Sequence, residues 1–353
     1  MPSKALPNCL TQSKTKEIKM RLGLDQAKSL ASAWLCHHGM SVEHAGVVAD
    51  HLVYATLAGH AFAGMPRLVP IAEYLAKRGC GGVVSTTHRT PQSATIDGAN
   101  VIGYVTSLAA VDTAVDLART GGIGIVGLSN SWFSGMLRYY VERAANAGFI
   151  ALHAANAAAR VAPYGGIDPL LGTNPIAFAF PAEDRPLVID MATSSIAWGD
   201  VIYHQQIGKP LPSGCAVDQE GVPTTDPLSA IGGAFIPWGG VRGSSLSIVV
   251  QALGILAGSD PVISDRGKWG YFFLVIDPAV LMDPAEFKAK VSQLRQTIES
   301  SRPAADGSSV YAPGTRSFER VQDGIERNWI DVDDEVYEAV RLGIDYAQQG
   351  ECG

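Results

Sequence analysis

The chain has 353 residues, which exceeds the roughly 100–200 residues of a typical domain, so two interlocked domains or one large domain are expected. Hydrophobic residues make up 47% and charged residues 17%, and this balance excludes a disordered or fibrous chain. The net charge of −7 argues against DNA or RNA as a partner, because phosphate binding requires a basic surface.

The spacing of the cysteines and the hydropathy of the chain indicate where in the cell the protein is located. The five cysteines are scattered and form no CxxC pair, so neither a disulfide framework nor a metal site is expected, and reduced thiols favour the cytoplasm. The most apolar stretch, 246–258, is shorter than the ~20 residues of a membrane span, so no membrane segment is expected. Residues 1–21 are basic and polar without an apolar core, which predicts a loose N-terminal extension instead of a secretion signal.

Helical and strand patterns alternate along the rest of the chain. Two apolar helical stripes within residues 25–57, with Ser41 as N-cap of the second, predict a helical hairpin. Residues 105–119 form a predicted helix that ends at Gly121–Gly122, and the run GIGIVGL at 122–128 then predicts a buried strand.

The remaining elements predict an α/β chain. Further strands are expected at Phe149–Ala155, Ile176–Phe180, Leu187–Asp190 and Tyr271–Ile276, and helices near 135–147, 243–257, 285–300 and 333–348. The last helix follows the loop 301–314. It is expected to pack back on the N-terminal helices and to complete a discontinuous outer domain around a central sheet.

Three glycines match a dinucleotide-binding pattern in the wrong context. Gly122, Gly124 and Gly127 fit the G-x-G-x-x-G of Rossmann folds. In that fold the glycines follow a strand and open a helix, whereas here they follow a helix and lie within the strand itself. We therefore interpret them as glycines that allow close packing of the strand, and no Rossmann site is predicted.

Several longer motifs carry a family resemblance. They are APYGG at 162–166, LGTNPIAFAFP at 171–181, VIDMATS at 188–194, GKPLP from 208, DQEGVPTTDP from 218 and PWGGVRG from 237. From residue 22 to about 345 the chain resembles the malate/L-lactate dehydrogenase family. This family also contains ureidoglycolate, sulfolactate and diketogulonate enzymes and the Δ1-piperideine-2-carboxylate/Δ1-pyrroline-2-carboxylate reductases.

The resemblance implies a fold, a cofactor and an assembly. The fold is a non-Rossmann α/β fold with a mixed sheet, the cofactor is NADH or NADPH, and the protein forms a homodimer whose active site lies near the subunit interface. The expected parts are an N-terminal extension at 1–21, an outer helical and dimerisation domain at 22–95 plus 315–353, and a central cofactor-binding α/β domain at 96–314.

Small and hydroxyl residues are suited to hold the cofactor. Leu171–Pro175 and Asp190–Ser194 place them at strand ends, where backbone N–H groups and hydroxyls can bind phosphate or ribose. Ser134–Gly135 is predicted to open a helix whose N–H groups receive the pyrophosphate, although each segment can also be a simple turn or helix cap. The residues predicted to contact the cofactor are Trp132, Phe133, Ser134, Gly135, Met136, Asp190, Met191, Ala192, Arg242, Pro313, Gly314, Thr315 and Arg316.

The chain departs from the family where the family carries its proton relay. The pattern Ser-His-Gly-x-x-Arg is replaced by FAGMPR at 62–67, which keeps the arginine and loses the serine and the histidine. A second family pattern, Asn-His-Phe-Gly, is replaced by WFSG at 132–135. The pocket is therefore expected to be aromatic and to lack a histidine acid for a ketone oxygen.

The substrate side of the site is predicted around Arg67. Its planar guanidinium is suited to bind a substrate carboxylate, with a surface ion pair as the alternative. Trp198–Gly199–Asp200 resembles the His-Gly-Asp of the cyclic-imine reductases, so Asp200 is a predicted catalytic residue or else an exposed carboxylate. The residues predicted to bind substrate are Arg67, Phe62, Thr173, Trp198 and Gly199.

His60 is the second predicted catalytic residue, because it is the titratable group nearest to the lost histidine. It either donates a proton at neutral pH or only caps the end of a helix. Arg160 stands where the family has a small apolar residue, and Arg242 replaces a lysine. Each of these arginines either faces cofactor phosphate or substrate, or is an exposed cation.

The sequence thus predicts an NAD(P)H-dependent reductase that transfers hydride to the C=N bond of a cyclic or substituted imino acid. An iminium carries its own activating positive charge, so its reduction needs no histidine acid. Phe62, Phe133 and Trp198 would face an apolar or cationic substrate. Two alternatives stay open. One is a 2-keto acid reductase with His60 or water as donor, and the other is a redox-inactive homologue that binds the cofactor.

Overall fold

The computed structural model describes residues 19–206, 208–264, 268–305 and 307–350. The helices are α1 (Leu24–His37), α2 (Val42–Leu57), α3 (Leu68–Arg78), α4 (Gly103–Gly121), α5 (Arg138–Asn146), α6 (Trp198–Gln206), α7 (Pro227–Gly232), α8 (Val241–Leu256), α9 (Pro284–Glu299), α10 (Thr315–Arg327) and α11 (Asp334–Gly350). Among these helices, none combines the length and apolar character needed to cross a membrane.

The strands form one large sheet and two small ones. They are β1 (Lys19–Gly23), β2 (Ser85–Thr90), β3 (Ser93–Asp97), β4 (Ile123–Ser129), β5 (Ile150–Ala155), β6 (Ile176–Phe180), β7 (Leu187–Met191), β8 (Ala216–Val217), β9 (Pro223–Thr224), β10 (Ala234–Phe235), β11 (Gly270–Ile276) and β12 (Trp329–Asp333). The large sheet has seven strands in the order β2-β3-β4-β11-β5-β6-β7. Only the β3–β4 pair of this sheet is parallel, so the predicted mixed sheet is confirmed.

Helices cover both faces of the large sheet. On one face α4 and α5 pack against alternate residues of the central strand β11, namely Tyr271, Phe273 and Val275. On the other face Val250 of α8 packs against Phe272, which lies between Tyr271 and Phe273 in the strand. This alternation is the two-residue period of a strand, and it places the main core between α4, α5 and the sheet.

The outer part of the molecule is helical. The predicted hairpin is α1 and α2, and the Ser41 hydroxyl accepts a hydrogen bond from the backbone N–H of His44 at 3.3 Å, which confirms the predicted N-cap. The closing helix α11 contacts α1, as predicted, and also contacts α3. Residues 19–21, predicted as part of the loose extension, instead begin β1, which pairs antiparallel with β12. Residues 1–18 of that extension lie outside the described residues.

The glycines of β4 serve packing. Gly122 caps the C-terminus of α4 in the left-handed conformation with φ +78°. A side chain at Gly124 would clash with the backbone carbonyl of Ala114 on α4, so its absence lets helix and strand approach closely. The strand β4 was predicted to be buried. It is only half-buried, because the side chains of Ile123 and Ile125 point to solvent at alternate positions.

The parts of the chain interlock more than a linear division suggests. The predicted domain boundary between residues 95 and 96 falls inside β3, which belongs to the large sheet. A small sheet of β8, β9 and β10 packs with α6 and α7 around Phe235 and Val201. This unit brings the start of α6 to the edge of the large sheet.

Candidate functional site

A cavity of about 160 Å³ lies where the large sheet meets the outer helices. The end of β5 and the start of β11 lie at the same edge of the sheet, because the two strands are antiparallel neighbours. Segments far apart in sequence close the cavity around this edge. Its lining consists of Arg67, Tyr74, Tyr104, Phe133, Ser134, Gly135, Ala155, Asn156, Ala157, Ala158, Arg160, Thr173, Pro175, Trp198, Trp269 and Tyr271.

Arg67 enters this cavity from a short 3-10 turn, Met65–Arg67. Its guanidinium carbon lies 4.6 Å from the ring centre of Phe62 and 5.2 Å from that of Phe133, so two aromatic faces hold the cation. Within the described part of the chain, no carboxylate pairs with it. Burial lowers the pKa of Arg67 from its usual range, yet a guanidinium remains charged at neutral pH. The cavity therefore contains a positioned cation that can bind an anionic group of a ligand.

The loop before α5 forms one wall of the cavity. Phe133 and Gly135 adopt positive φ angles of +46° and +69°, and the N–H of Met136 donates to Nε2 of the buried His51 at 2.9 Å. A side chain at Gly135 would lie 2.9 Å from Cζ of Tyr104, so only glycine lets the loop cross that ring. The helix begins at Arg138, not at Ser134–Gly135 as predicted, because the left-handed conformations of Phe133 and Gly135 interrupt a right-handed helix there.

The start of α5 is occupied by a carboxylate. The Asp190 Oδ2 atom at the end of β7 accepts from the backbone N–H of Arg138 at 2.8 Å and so acts as a cap from another strand. The predicted pyrophosphate position at this helix end is therefore partly taken. Asp190 keeps contact with solvent, but neighbouring protein atoms desolvate it and raise its pKa to about 6.

Arg138, which sequence reasoning missed, connects the site to the C-terminal loop. Its Nε donates to Glu142 Oε2 at 2.8 Å and to Tyr54 Oη at 3.0 Å, and Tyr54 also donates to Glu142. Its Nη1 donates to the carbonyl of Gly314 at 3.1 Å. This network fixes the loop before α10 against α5.

That loop borders an open hollow of about 420 Å³, lined by residues 309–317. Pro313, Gly314 and Arg316, all predicted cofactor residues, line it, and the Arg316 guanidinium lies 4.3 Å from the ring centre of Tyr311. Thr315 does not face the hollow, because it is buried and its hydroxyl donates to Glu299 Oε1 at 2.6 Å. The segment that leads into α5 thus touches both openings, because Gly135 lines the cavity and Arg138 bonds to Gly314 at the hollow.

Several predicted cofactor residues lie away from both openings. The Trp132 side chain is fully buried in the core under α3, where its Nε1 donates to the carbonyl of Asn100 at 2.9 Å. Met136 packs into a buried cluster with Ala55 and Ala58, so its side chain is structural. The others are Met191, which packs between the sheet and α8, Ala192, which is half-buried, and Arg242, which is exposed in the first turn of α8.

The predicted substrate residues are partly brought together. Thr173 and Trp198 line the cavity, and the Arg160 guanidinium lies 4.6 Å from the Trp198 ring centre. The Phe62 ring packs directly on the backbone of Gly199, where a side chain on Gly199 would clash with it. Gly199 therefore supports Phe62, and Phe62 in turn supports Arg67.

The two predicted catalytic residues do not line the cavity. Asp200 is exposed in the first turn of α6, although its charge raises the pKa of Arg67. The His60 Nε2 atom lies 3.5 Å from Ser317 Oγ in α10, and desolvation by neighbouring protein atoms together with the charge of Arg138 lowers the pKa of the exposed His60. His60 is only two residues from Phe62 in sequence, yet its side chain does not line the cavity.

Three lining residues that the sequence did not indicate carry unpaired polar atoms. The hydroxyls of Tyr104 and Tyr271 and the Nε1 of Trp269 are buried and make no close hydrogen bond among the residues that the structure describes, although the Ser134 side chain lies near the Tyr271 hydroxyl. Tyr104 opens α4 and Tyr271 lies in β11, so each reads in sequence as a core residue. Only the tertiary fold shows that their polar ends meet at one cavity.

The chain was compared with known proteins. A family model described as malate/L-lactate dehydrogenase matches residues 22–341. The L-sulfolactate dehydrogenase of Methanocaldococcus jannaschii is 32% identical over 323 residues, covering 87% of this chain and 93% of that protein. The ureidoglycolate dehydrogenase (NAD(+)) of Escherichia coli is 33% identical over 316 residues, covering 84% and 88% respectively.

Solved structures agree with these matches. The M. jannaschii sulfolactate dehydrogenase superposes with a TM-score of 0.83 at 31% identity and covers 93% of this chain and 98% of its own. The Δ1-piperideine-2-carboxylate reductase of Pseudomonas syringae gives a TM-score of 0.82 at 29% identity, covering 92% and 99%. Since the family model spans nearly the whole described fold and relatives above 30% identity cover most of the chain, the protein belongs to the malate/L-lactate dehydrogenase family of oxidoreductases.

Proposed function

We propose that this protein is an NAD(P)H-dependent reductase that delivers hydride to the C=N bond of a small imino acid, with Arg67 binding the substrate carboxylate. The composition of the cavity carries the proposal. Arg67 reaches it as a cation without a protein carboxylate, and no histidine or carboxylate is among the described residues that line it. A substrate carboxylate would supply the missing anion through charge-assisted hydrogen bonds to a planar guanidinium.

The size of the cavity supports a small substrate. Its volume of about 160 Å³ is below the roughly 300–1,000 Å³ of sites for drug-sized ligands. The rings of Phe133, Trp198 and Trp269 form much of its wall and reduce the access of water. A cyclic or short-chain imino acid matches this volume and lining.

The residues present fit a nicotinamide cofactor. The unpaired Nε1 of Trp269 offers a hydrogen bond at the cavity, and Arg316 offers a cation at the hollow near 309–317. Ser134 and Gly135 at the cavity and Pro313, Gly314 and Arg316 at the hollow would hold the two ends of NADH or NADPH. The bound cofactor supplies the hydride.

The chain's own residues then orient and polarise the substrate. Arg67 fixes the carboxylate, which places the adjacent C=N carbon within the aromatic walls. An iminium brings its positive charge with it and accepts hydride without a histidine acid. Asp200 is not among the residues that line the cavity. We therefore propose that its negative charge stabilises the positively charged iminium electrostatically, over a distance, and not through a direct hydrogen bond.

We also propose a cytoplasmic homodimer. The helix α8 leaves an apolar side in solvent, with Val241 58%, Ile248 54% and Leu256 72% exposed. An exposed apolar face of this kind is typical of an interface between subunits. A second copy of the chain is the proposed occupant, and a monomer by sedimentation at micromolar concentration would contradict it.

Steady-state kinetics tests the proposed function. The wild type is assayed with NADH and with NADPH against Δ1-piperideine-2-carboxylate, pyruvate and oxaloacetate. We expect kcat/KM for the imine to exceed that for both keto acids. A preference for ketones would contradict imine specificity, and cofactor binding by calorimetry without turnover of any substrate would favour the redox-inactive alternative.

A second candidate function follows from Arg160. Arg67 and Arg160 both line the cavity, so it presents two cations. Two cations suit a 2-keto acid with a second anionic group, such as a dicarboxylate or a sulfonated acid. The similarity to L-sulfolactate dehydrogenase supports this candidate. Oxaloacetate or sulfopyruvate turning over faster than the cyclic imine would favour it.

A further inference from the structure

The cavity contains two buried tyrosine hydroxyls whose hydrogen-bonding capacity is unused. Tyr104 lies in the first turn of α4, and Tyr271 lies at the start of β11. Both side chains are almost fully buried and both line the cavity. Neither hydroxyl makes a close hydrogen bond within the described part of the chain, although the Ser134 side chain lies near enough to the Tyr271 hydroxyl to lower its pKa, and no such group acts on Tyr104. Burying an unpaired hydroxyl is unfavourable, so a group that is retained in this way is suited to meet a ligand atom.

The buried histidines next to these two tyrosines, His51 beside Tyr104 and His153 beside Tyr271, are not acids at neutral pH. His51 packs edge-on against the Tyr104 ring at 4.6 Å, but burial lowers its pKa to about 3 and its Nε2 already accepts from the N–H of Met136. Burial likewise lowers the pKa of His153 to about 3, and its ring stacks on Phe273 in the core. A phenol is therefore the acidic group that this cavity offers.

We propose that Tyr104 is the proton donor of the reduction and that it acts whenever the substrate arrives unprotonated. This inference rests on the proposed function. The hydride of NAD(P)H forms the new C–H bond, and the electron pair of the C=N or C=O π bond takes the phenol proton to form N–H or O–H. The products are the amine or alcohol, oxidised cofactor and the Tyr104 phenolate, which solvent protonates again.

Arg67 distinguishes Tyr104 from Tyr271 as the donor. The Arg67 guanidinium acts on Tyr104 and lowers its pKa against the effect of burial, because a nearby cation stabilises the phenolate. The cation that lowers the pKa of Tyr271 against the effect of burial is Arg78, which is not among the residues that line the cavity, so it is not the cation proposed to bind the substrate. Arg67 would then both hold the substrate carboxylate and stabilise the phenolate left after proton transfer.

A substrate that needs no proton gives the decisive test. Wild type, Tyr104→Phe and Tyr271→Phe are assayed with a cyclic imino acid at a pH above the imine's own pKa, with a 2-keto acid, and with the N-methylated cyclic iminium acid. We expect Tyr104→Phe to lower kcat for the imine and the ketone by ~10²–10⁴-fold and to leave reduction of the N-methyl iminium nearly unchanged. Tyr271→Phe, the matched control, should not show this selective loss.

Other results overturn the proposal. Equal losses on all three substrates would show that Tyr104 is structural, no loss on any would show that it donates nothing, and a selective loss in Tyr271→Phe would move the role to Tyr271. A wild type that reduces none of the three substrates would instead refute the proposed function, before any variant is compared.

Two further measurements show whether a loss of activity in Tyr104→Phe comes from misfolding. The removed hydroxyl has no partner among the described residues, so the melting temperature of Tyr104→Phe should not fall. Independently, kcat of the wild type should show a solvent deuterium isotope effect with the neutral imine and none with the N-methyl iminium. An equal effect with both substrates would contradict proton donation by the protein.

Discussion

Replacing Arg67 by lysine should weaken substrate binding strongly and leave cofactor binding nearly intact. The guanidinium lies between the rings of Phe62 and Phe133 and has no protein carboxylate among the residues described. Lysine keeps the charge and can still lie over a ring. It cannot reproduce the planar two-point contact with a carboxylate.

The size of the effect follows from the hydrogen bond that is lost. One charge-assisted hydrogen bond contributes about 1.5–3 kcal/mol, so the substrate KM should rise roughly 10- to 150-fold. The dissociation constant of NADH or NADPH, measured by calorimetry, should change little, because the hollow near Arg316 is untouched. Arg119→Lys makes the same change on the exposed side of α4 and serves as the matched control.

An unchanged KM in Arg67→Lys would refute the assignment of Arg67 to the substrate carboxylate. Arg67→Met adds a stability readout. Because the buried cation has no ion-pair partner in the described chain, its removal should cost little folding free energy while substrate binding is lost. A large drop in melting temperature would show that Arg67 is structural.

Three further predictions follow from the packing and charges of the site. Gly199→Ala forces Phe62 aside and should cost about 1–3 kcal/mol of unfolding free energy in urea titrations; Phe62→Ala should relieve most of that cost, and an equal cost in both backgrounds would exclude the clash. The double change Phe62→Ser with Ala63→His should raise kcat for 2-keto acid reduction by ~10²–10⁴-fold in steady-state assays, because the new histidine restores a positioned acid. No gain would contradict the assumption that positions 62 and 63 correspond to the Ser-His pair of the family. The pKa of Asp190 near 6 exceeds the usual value near 3.9, so the folded state binds more protons between about pH 4 and 6 and loses stability as pH rises through that interval. In Asp190→Asn this decline should be only slightly smaller, since Asp190 is exposed and solvent screens its charge, and an identical change of the urea midpoint with pH in both proteins would contradict the raised pKa.

Strong local patterns predicted much of the fold. Ile176–Phe180 was predicted with its observed bounds, and the hairpin of α1 and α2 with its Ser41 cap follows from apolar spacing and a capping residue. The strands β1 and β12 were missed because they are short and charged. They are paired across more than three hundred residues, with Lys19 and Asp333 in an ion pair at 3.8 Å.

The site was only partly predictable, because it depends on side-chain direction. Arg67, Thr173 and Trp198 were predicted and do line the cavity. His60 was predicted from its nearness in sequence, yet it points to Ser317 of a distant segment. Capping of α5 by Asp190 and the meeting of Tyr104 with Tyr271 arise from tertiary contacts that leave no local pattern in the sequence.

A structure of the protein with oxidised cofactor and a saturated cyclic amino acid tests the central claim most directly. The account predicts that the amino acid occupies the cavity of about 160 Å³, with its carboxylate oxygens about 2.7–2.9 Å from the Arg67 guanidinium. The carbon that carries the amine should face the nicotinamide ring, and the Tyr104 hydroxyl should lie within hydrogen-bond distance of the amine nitrogen. A ligand carboxylate bound elsewhere, with Arg67 left unpaired, would contradict the account.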